Sequence, residues 1–222
     1  MARKRSRHRA HPVILVFGES NNDRAALVEL FRALRPDLTS VSVETRREPL
    51  ILMKDENRPS TRRKTTDRIA ALVRAEAVTR HVAAVIAHED CDDTGPAHVT
   101  LAATIEAELT SAGVPHPIAA TPAWEIETWW MLFPDALQAT RPCWATFDHA
   151  SRDVGRIQHA KEELRRQLRP TTAHARSRCP DYAESDGIKI AAAIRSRNLI
   201  DQERGNAASL AEFKAKVRAL AL

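Results

Sequence analysis

The sequence predicts an α/β fold: an open parallel sheet flanked by helices, followed by a helical C-terminal extension. Three observations carry this expectation. Val13–Phe17 and Ala83–Ala87 are short, unbroken apolar runs, the pattern of strands buried on both faces. Stretches with apolar residues at helical spacing separate and follow them. Beyond about residue 120 the helical stretches continue without new strands, which divides the chain into an arm (1–11), an α/β domain (12–150) and a helical extension packed on it (151–222).

The elements follow in order. Residues 1–11 form an Arg/Lys/His-rich arm without apolar periodicity, expected to be disordered. After Val13–Phe17, Ser20 or Asn21 can cap a helix whose Leu27, Leu30, Phe31 and Leu34 recur at helical spacing, with Pro36 just beyond its end. Val41–Val43 is a second strand. Arg46–Lys64 is a basic, irregular stretch of a length that favours a functional or disordered loop. A helix is expected from about Thr66 to Arg80, with Ile69, Leu72 and Val73 inward. It leads into the second buried strand. Pro96–Ala112 reads as a helix ended by Gly113, and Pro117–Ala120 as a short strand. Three of the four tryptophans fall in Trp124–Phe133, where Ile126, Trp129 and Phe133 share a helical face that Pro134 closes. Large rings there belong to the core. Lys161–Arg169 is a basic amphipathic helix, Pro170–Pro180 a basic loop, and Ser185–Arg195 a helix. The last helix opens with a Ser209-x-x-Glu212 capping box.

Composition bounds the function. The chain has 222 residues, 34 Lys+Arg against 29 Asp+Glu, and a pI near 9.4. That mild basicity permits a polyanionic partner. Cys91, Cys143 and Cys179 are odd in number and form no CxxC pair, so neither a zinc ribbon nor a disulfide framework is expected. No stretch has the length of a membrane-spanning helix. These features place the protein in a reducing cytoplasm, with no membrane partner.

The chemistry concentrates where strands end. Ala83–Ala87 runs straight into His88-Glu89-Asp90-Cys91-Asp92-Asp93, four carboxylates within five positions. Like charges 4 Å apart repel by about 4 kcal/mol at an effective dielectric near 20, so such a cluster calls for water, basic neighbours or a divalent cation. Val13–Phe17 likewise ends in Gly18-Glu19, with Asp23 a turn further on. If the two strands are neighbours, their acids converge on the rim where open α/β sheets bind ligands. Hard oxygen donors suit Mg²⁺ or Mn²⁺, as one ion or two.

These residues resemble the TOPRIM domain of topoisomerases, primases and small nucleases, which has a Glu at the tip of its first strand and an Asp-x-Asp at the tip of a later one. Gly18-Glu19-x-x-x-Asp23 is similar to the spacing in OLD nucleases. Glu125-Ile126-Glu127-x-Trp129 resembles a Glu-x-Trp signature of small stand-alone TOPRIM proteins, the RloB-like group. The tail from Tyr182 to Arg195, with Asp186-Gly187-Ile188-Lys189, resembles the end of those proteins. The resemblance implies a TOPRIM-like Rossmannoid fold in which Glu19, Asp90 and Asp92 bind metal, joined by Asp23 and Glu127, while Lys189 neutralises charge on the phosphate. Two departures stand out: Gly18 precedes Glu19 instead of following it, and Glu89 and Asp93 flank the Asp-x-Asp. The second leaves open whether Glu89 substitutes or Asp92 and Asp93 form the pair.

The expectation is a Mg²⁺- or Mn²⁺-dependent phosphodiester hydrolase, a nuclease acting on DNA or RNA, with bacterial defence as the role implied by the resemblance. Its backbone grip would come from Arg58, Arg62, Arg63 and Lys64 and from Arg165 and Arg166 in the Lys161–Arg178 segment. Two other classes remain open: a binding subunit activated by a separately encoded ATPase, and a nucleotidyl-transfer enzyme. The chain has no phosphate-cradling glycine loop of its own. The bland alternatives are equally concrete, with Glu19 and Asp23 as first-turn helix acids, Glu127 as a buried structural acid and His88 as a structural histidine.

Overall fold

A computed structural model describes residues 11–47, 59–173 and 177–222, without the side chains of 59–63. Four parallel strands lie in the order β2-β1-β3-β4: β1 (Val13–Phe17), β2 (Ser42–Thr45), β3 (Val82–His88) and β4 (Pro117–Ala120). The α/β expectation holds, and the architecture is Rossmannoid. The chain builds β2 on one side of β1, then crosses to place β3 on the other. The carboxyl ends of β1 and β3 therefore flank the topological switch point, the standard ligand crevice of such sheets.

Period-two alternation decides which face each strand residue enters. Ile14, Val16, Ala84 and Ile86 face α1 (Asn21–Leu34) and the later helices α7 (Asp186–Ser196) and α8 (Ala208–Ala219). Val13, Leu15, Phe17, Val85 and Ala87 face α2 (Pro59–Ala77) and α3 (Ala97–Ser111). The helical extension thus supplies one layer of the sandwich. Ile190, Ile194, Phe213 and Val217 share a core with Leu27, Leu30 and Phe31, and each is at most 1% exposed. Burying a side chain of this size stabilises by about 1.5–3 kcal/mol. Edge strand β4 is blunted by a side chain: Glu106 Oε1 accepts the Ala119 N–H at 2.9 Å and pairs with Lys216.

Several local expectations change. Helix α2 starts at Pro59, earlier than Thr66, because proline at a first helical position forfeits no hydrogen bond. Strand β2 lies at Ser42–Thr45, just past the expected Val41–Val43. The tryptophan-rich segment is helical only over α4 (Glu127–Trp130), and Pro134 opens α5 (Pro134–Thr140) instead of closing the segment. Ser209 does not cap α8. It lies inside the helix, 4% exposed, and its Oγ accepts from Trp129 Nε1 at 3.0 Å and from the Ala123 N–H at 3.3 Å. A buried indole N–H needs such a partner, and Trp129 also stacks on Phe213 with centroids 5.4 Å apart. Helix α6 (Ala160–Leu168) buries Leu164 and Leu168 as the periodicity predicts. Cys143 and Cys179 form a disulfide, contrary to the sequence expectation, with Cα atoms 5.8 Å apart. Their 36-residue separation gives no spacing signal; only the fold brings them together. Among the described residues, no helix is long and apolar enough to cross a membrane. The basic arm, apart from His11, lies outside the described residues.

Candidate functional site

Strands β1 and β3 are hydrogen-bonded neighbours, so the acids at their ends meet. The Asp90 N–H donates to Glu19 Oε1 at 3.3 Å. Each acid is aimed by local structure. Glu19 directly precedes a capping box in which Ser20 Oγ accepts the Asp23 N–H at 3.1 Å and Asp23 Oδ2 accepts the Ser20 N–H at 3.2 Å. Arg24, 5% exposed, donates from Nη1 to the Gly18 carbonyl at 2.7 Å and so pins the turn that presents Glu19. Gly18 fits closely there: a Cβ would stand 3.1 Å from His88 Cβ and 3.2 Å from Arg24 Cγ, so either neighbour would have to give.

The acidic loop after β3 is held as firmly. Backbone bonds continue past the strands: Glu89 N–H to Ala120 O, Cys91 N–H to Pro122 O, Asp92 N–H to Trp124 O and Trp124 N–H to Asp93 O, all within 2.9–3.2 Å. Asp90 Oδ1 accepts the Ile126 N–H at 3.1 Å, which joins the loop to the start of α4. Asp92 takes a positive φ of 52°, a left-handed conformation that Asp tolerates better than most residues. The four carboxylates of this run differ in exposure. Asp90 is half-buried against Glu19, Glu89 is 1% exposed, and Asp92 and Asp93 are exposed.

His88 lies fully buried beneath this rim, with Nε2 3.2 Å from Asp90 Oδ1. Among the described residues, neither ring nitrogen makes a well-aligned hydrogen bond. Burial works against its protonation, but Asp90, with Asp23 and Glu19 behind it, prevails and raises the imidazole to about 9. An internal imidazolium therefore offsets part of the rim's negative charge.

The third wall comes from α4. Glu127 is 3% exposed and accepts from the Tyr182 hydroxyl at 3.1 Å. Burial pushes its carboxyl up to about 7; Lys161 opposes the rise, and Glu125 and Asp90 add to it. Burial and then Glu127 raise the Tyr182 phenol well above its ordinary value. Lys161, at the start of α6, places Nζ 3.0 Å from Glu184 and 3.5 Å from Glu125, while its N–H donates to Glu125 at 3.0 Å. Burial lowers its pKa, but Glu184, Glu127 and Glu125 outweigh that and raise it.

Of the residues named from the sequence, Glu19 and Asp90 meet at the strand ends, Asp23 serves in the capping box of α1 and Glu127 is buried on α4; the sequence did not point to Lys161 or Tyr182. Lys161 gave no signal, being one basic residue among many. Tyr182 is marked in the sequence only by being the chain's single tyrosine. The Lys189 side chain is 59% exposed, and its Nζ pairs at 3.0 Å with Asp186, which Arg141 also holds at 2.8 Å. Of the expected backbone-gripping residues, Arg58 and the side chains of Arg62 and Arg63 lie outside the described residues, and Lys64 is exposed on α2. Arg165 donates to the Tyr182 carbonyl at 3.1 Å, and Arg166 is clamped by Glu163 at 2.5 Å.

Among the described residues, no three His, Cys, Asp or Glu side chains form a group that could by itself hold a metal ion. The donor chemistry still fits a hard cation. Mg²⁺ commonly binds through one or two carboxylates, with waters and substrate phosphates completing its octahedron. Glu19 and Asp90 supply two such carboxylates at neighbouring strand ends, where the Asp90 N–H donates to Glu19 Oε1.

Comparison with known proteins brings no match: no family model, no curated protein and no solved structure matches the chain.

Proposed function

We propose that the chain is a divalent-metal-dependent phosphodiester hydrolase acting on nucleic acid, of TOPRIM-like type. The observation that carries this reading is the contact of Glu19 with Asp90 at the switch point, between strands whose order the fold dictates. Glu19 and Asp90 would hold the ion, with Asp92 on its exposed loop as a further donor. Bound there, Mg²⁺ or Mn²⁺ would supply Lewis-acid stabilisation of charge on the scissile phosphate. His88 holds Asp90 from below, and Arg24 holds the turn that carries Glu19. Lys161, paired with Glu125 and Glu184 beside the α4 wall, would face the phosphate's developing charge. Glu127, with its carboxyl near 7, has the proton affinity of an acid–base group at neutral pH.

The test combines binding with turnover. Mn²⁺ titration followed by electron paramagnetic resonance should show a site in the wild-type protein that Asp90→Asn and Glu19→Gln abolish. Cleavage of single- and double-stranded DNA and RNA substrates with Mn²⁺ should fall by about 100-fold or more in both variants. Mn²⁺ binding that survives both substitutions would place any metal elsewhere and overturn the reading. So would cleavage at wild-type rates in Asp90→Asn.

A further inference from the structure

The Cys143–Cys179 bond lies beside the rim without being part of it. Cys143 is exposed, in the loop after α5, whereas Cys179 is 5% exposed and three residues ahead of Tyr182. Residues 177–185 contain neither helix nor strand, so they are held in place by a short set of attachments. Trp144, next to Cys143, donates from Nε1 to the Pro180 carbonyl at 2.9 Å and lies with its ring centroid 6.2 Å from that of Tyr182. Arg165 holds the Tyr182 carbonyl, and the Ala183 N–H donates to Asp186 at 3.2 Å. The disulfide is the covalent member of this set. Three residues beyond Cys179, Tyr182 places its hydroxyl on buried Glu127.

We propose that the Cys143–Cys179 bond is a thiol-sensitive lock that holds Tyr182 against Glu127, so that a dithiol reductant releases this wall of the rim. The exposed Cys143 is the point of attack. A reductant thiolate bonds to Cys143 Sγ as the Sγ–Sγ bond breaks, and the Cys179 thiolate leaves and takes up a proton. The reductant's second thiol then closes on its own sulfur of the mixed disulfide and frees Cys143 as a thiol. In net, two electrons and two protons pass from dithiol to protein. The strands and helices of the sandwich pack without this bond and the segment carries neither helix nor strand, so its opening is local and withdraws only the buried Cys179 and Tyr182 from the shared core. This inference concerns the Tyr182–Glu127 contact and stands whether or not the rim cleaves phosphodiesters.

The test uses the whole protein purified without reductant. Iodoacetamide should leave Cys143 and Cys179 unlabelled before treatment with dithiothreitol and label both after it. Hydrogen exchange followed by mass spectrometry should then show amides of residues 179–186 exchanging at least about tenfold faster in the reduced protein, with β1 and β3 still protected. Cys143→Ser should show the same fast exchange without reductant and no change on adding it. Unchanged exchange at 179–186 after complete reduction overturns the lock. Loss of protection throughout β1 and β3 also overturns it, since the bond would then be a staple of the whole fold. Labelling of Cys143 and Cys179 even after incubation with oxidised glutathione removes its premise.

Discussion

Two clusters of charge sit at the margins of the same sheet and behave in opposite ways. Beside edge strand β2, Glu44 and Glu76 meet Arg46 and Arg80 in a closed set of ion pairs: Arg80 to Glu44 at 2.6 Å, Arg46 to Glu76 at 2.5 Å, and Arg80 to Glu76. Two acids face two guanidiniums, and hydrogen bonds from Arg80, Ser42 and Arg46 outweigh burial and hold Glu44 down to about 2. At the rim, acids from β1, β3 and α4 face one another over one buried imidazole, and Glu127 rises to about 7. A structural cluster matches its charges and stabilises their ionised forms. The rim instead raises a buried carboxyl to about 7, and perturbed groups of that kind cluster at functional sites.

The sharpest way to break this contrast is through pH. Glu127 has a folded value of about 7, above the ordinary 4.5, so its full contribution to stability is present below pH 4.5 and is lost as pH rises through 7. The corresponding free energy is roughly 3 kcal/mol. His88 adds in the same direction at higher pH. Its folded value of about 9 exceeds 6.5, so the stability it brings is present below 6.5 and lost through 9. Urea unfolding should therefore show wild-type stability falling between pH 5 and 9. Glu127→Gln, which can still accept from Tyr182, should flatten the fall between pH 5 and 7 while matching wild type at pH 5. A wild-type profile rising with pH across that range would show that the rim's acids are compensated like those beside β2.

A smaller effect sharpens the assignment of cations. Lys161→Met should lower cleavage by about 10-fold at saturating Mn²⁺, in line with loss of one group that stabilises charge in the transition state, and Lys189→Gln should leave it within about 2-fold. Equal effects would return the phosphate role to Lys189. The smallest expected effect lies beside β2. Glu44 is partly solvent-screened, so Glu44→Gln should cost about 1 kcal/mol or less at pH 7. Because its folded value lies below 4.5, the contribution is present above 4.5 and lost as pH falls toward 2, opposite in sense to Glu127. Urea midpoints at pH 7 and pH 3 check both points.

The strands and the acids were legible in the sequence because they are local patterns. Unbroken apolar runs mark strands buried on both faces, and a strand's last residue marks where the following acids emerge. That is why Glu19 and Asp90 could be named before their contact was seen. Ser209 misled because a capping-box pattern describes spacing alone, while a buried indole N–H from residue 129 competes for the same hydroxyl. Lys161 and Tyr182 stayed hidden because their meaning lies in contacts with Glu125, Glu127 and Glu184, across as much as 55 residues of chain.

By itself, the sequence determined the fold class, the positions of the buried strands and the acidic character of their carboxyl ends, since period and composition act over a few residues. Only the tertiary structure decided which cation faces the acids, which hydroxyl holds Glu127 and which cysteines pair. Those choices depend on how α4, α6 and the stretch before α7 are brought around the rim. The free energy that brings them there comes from burying leucine, isoleucine and aromatic side chains in a shared core. That force is non-directional, so it brings polar groups together without leaving a local trace of which ones will meet.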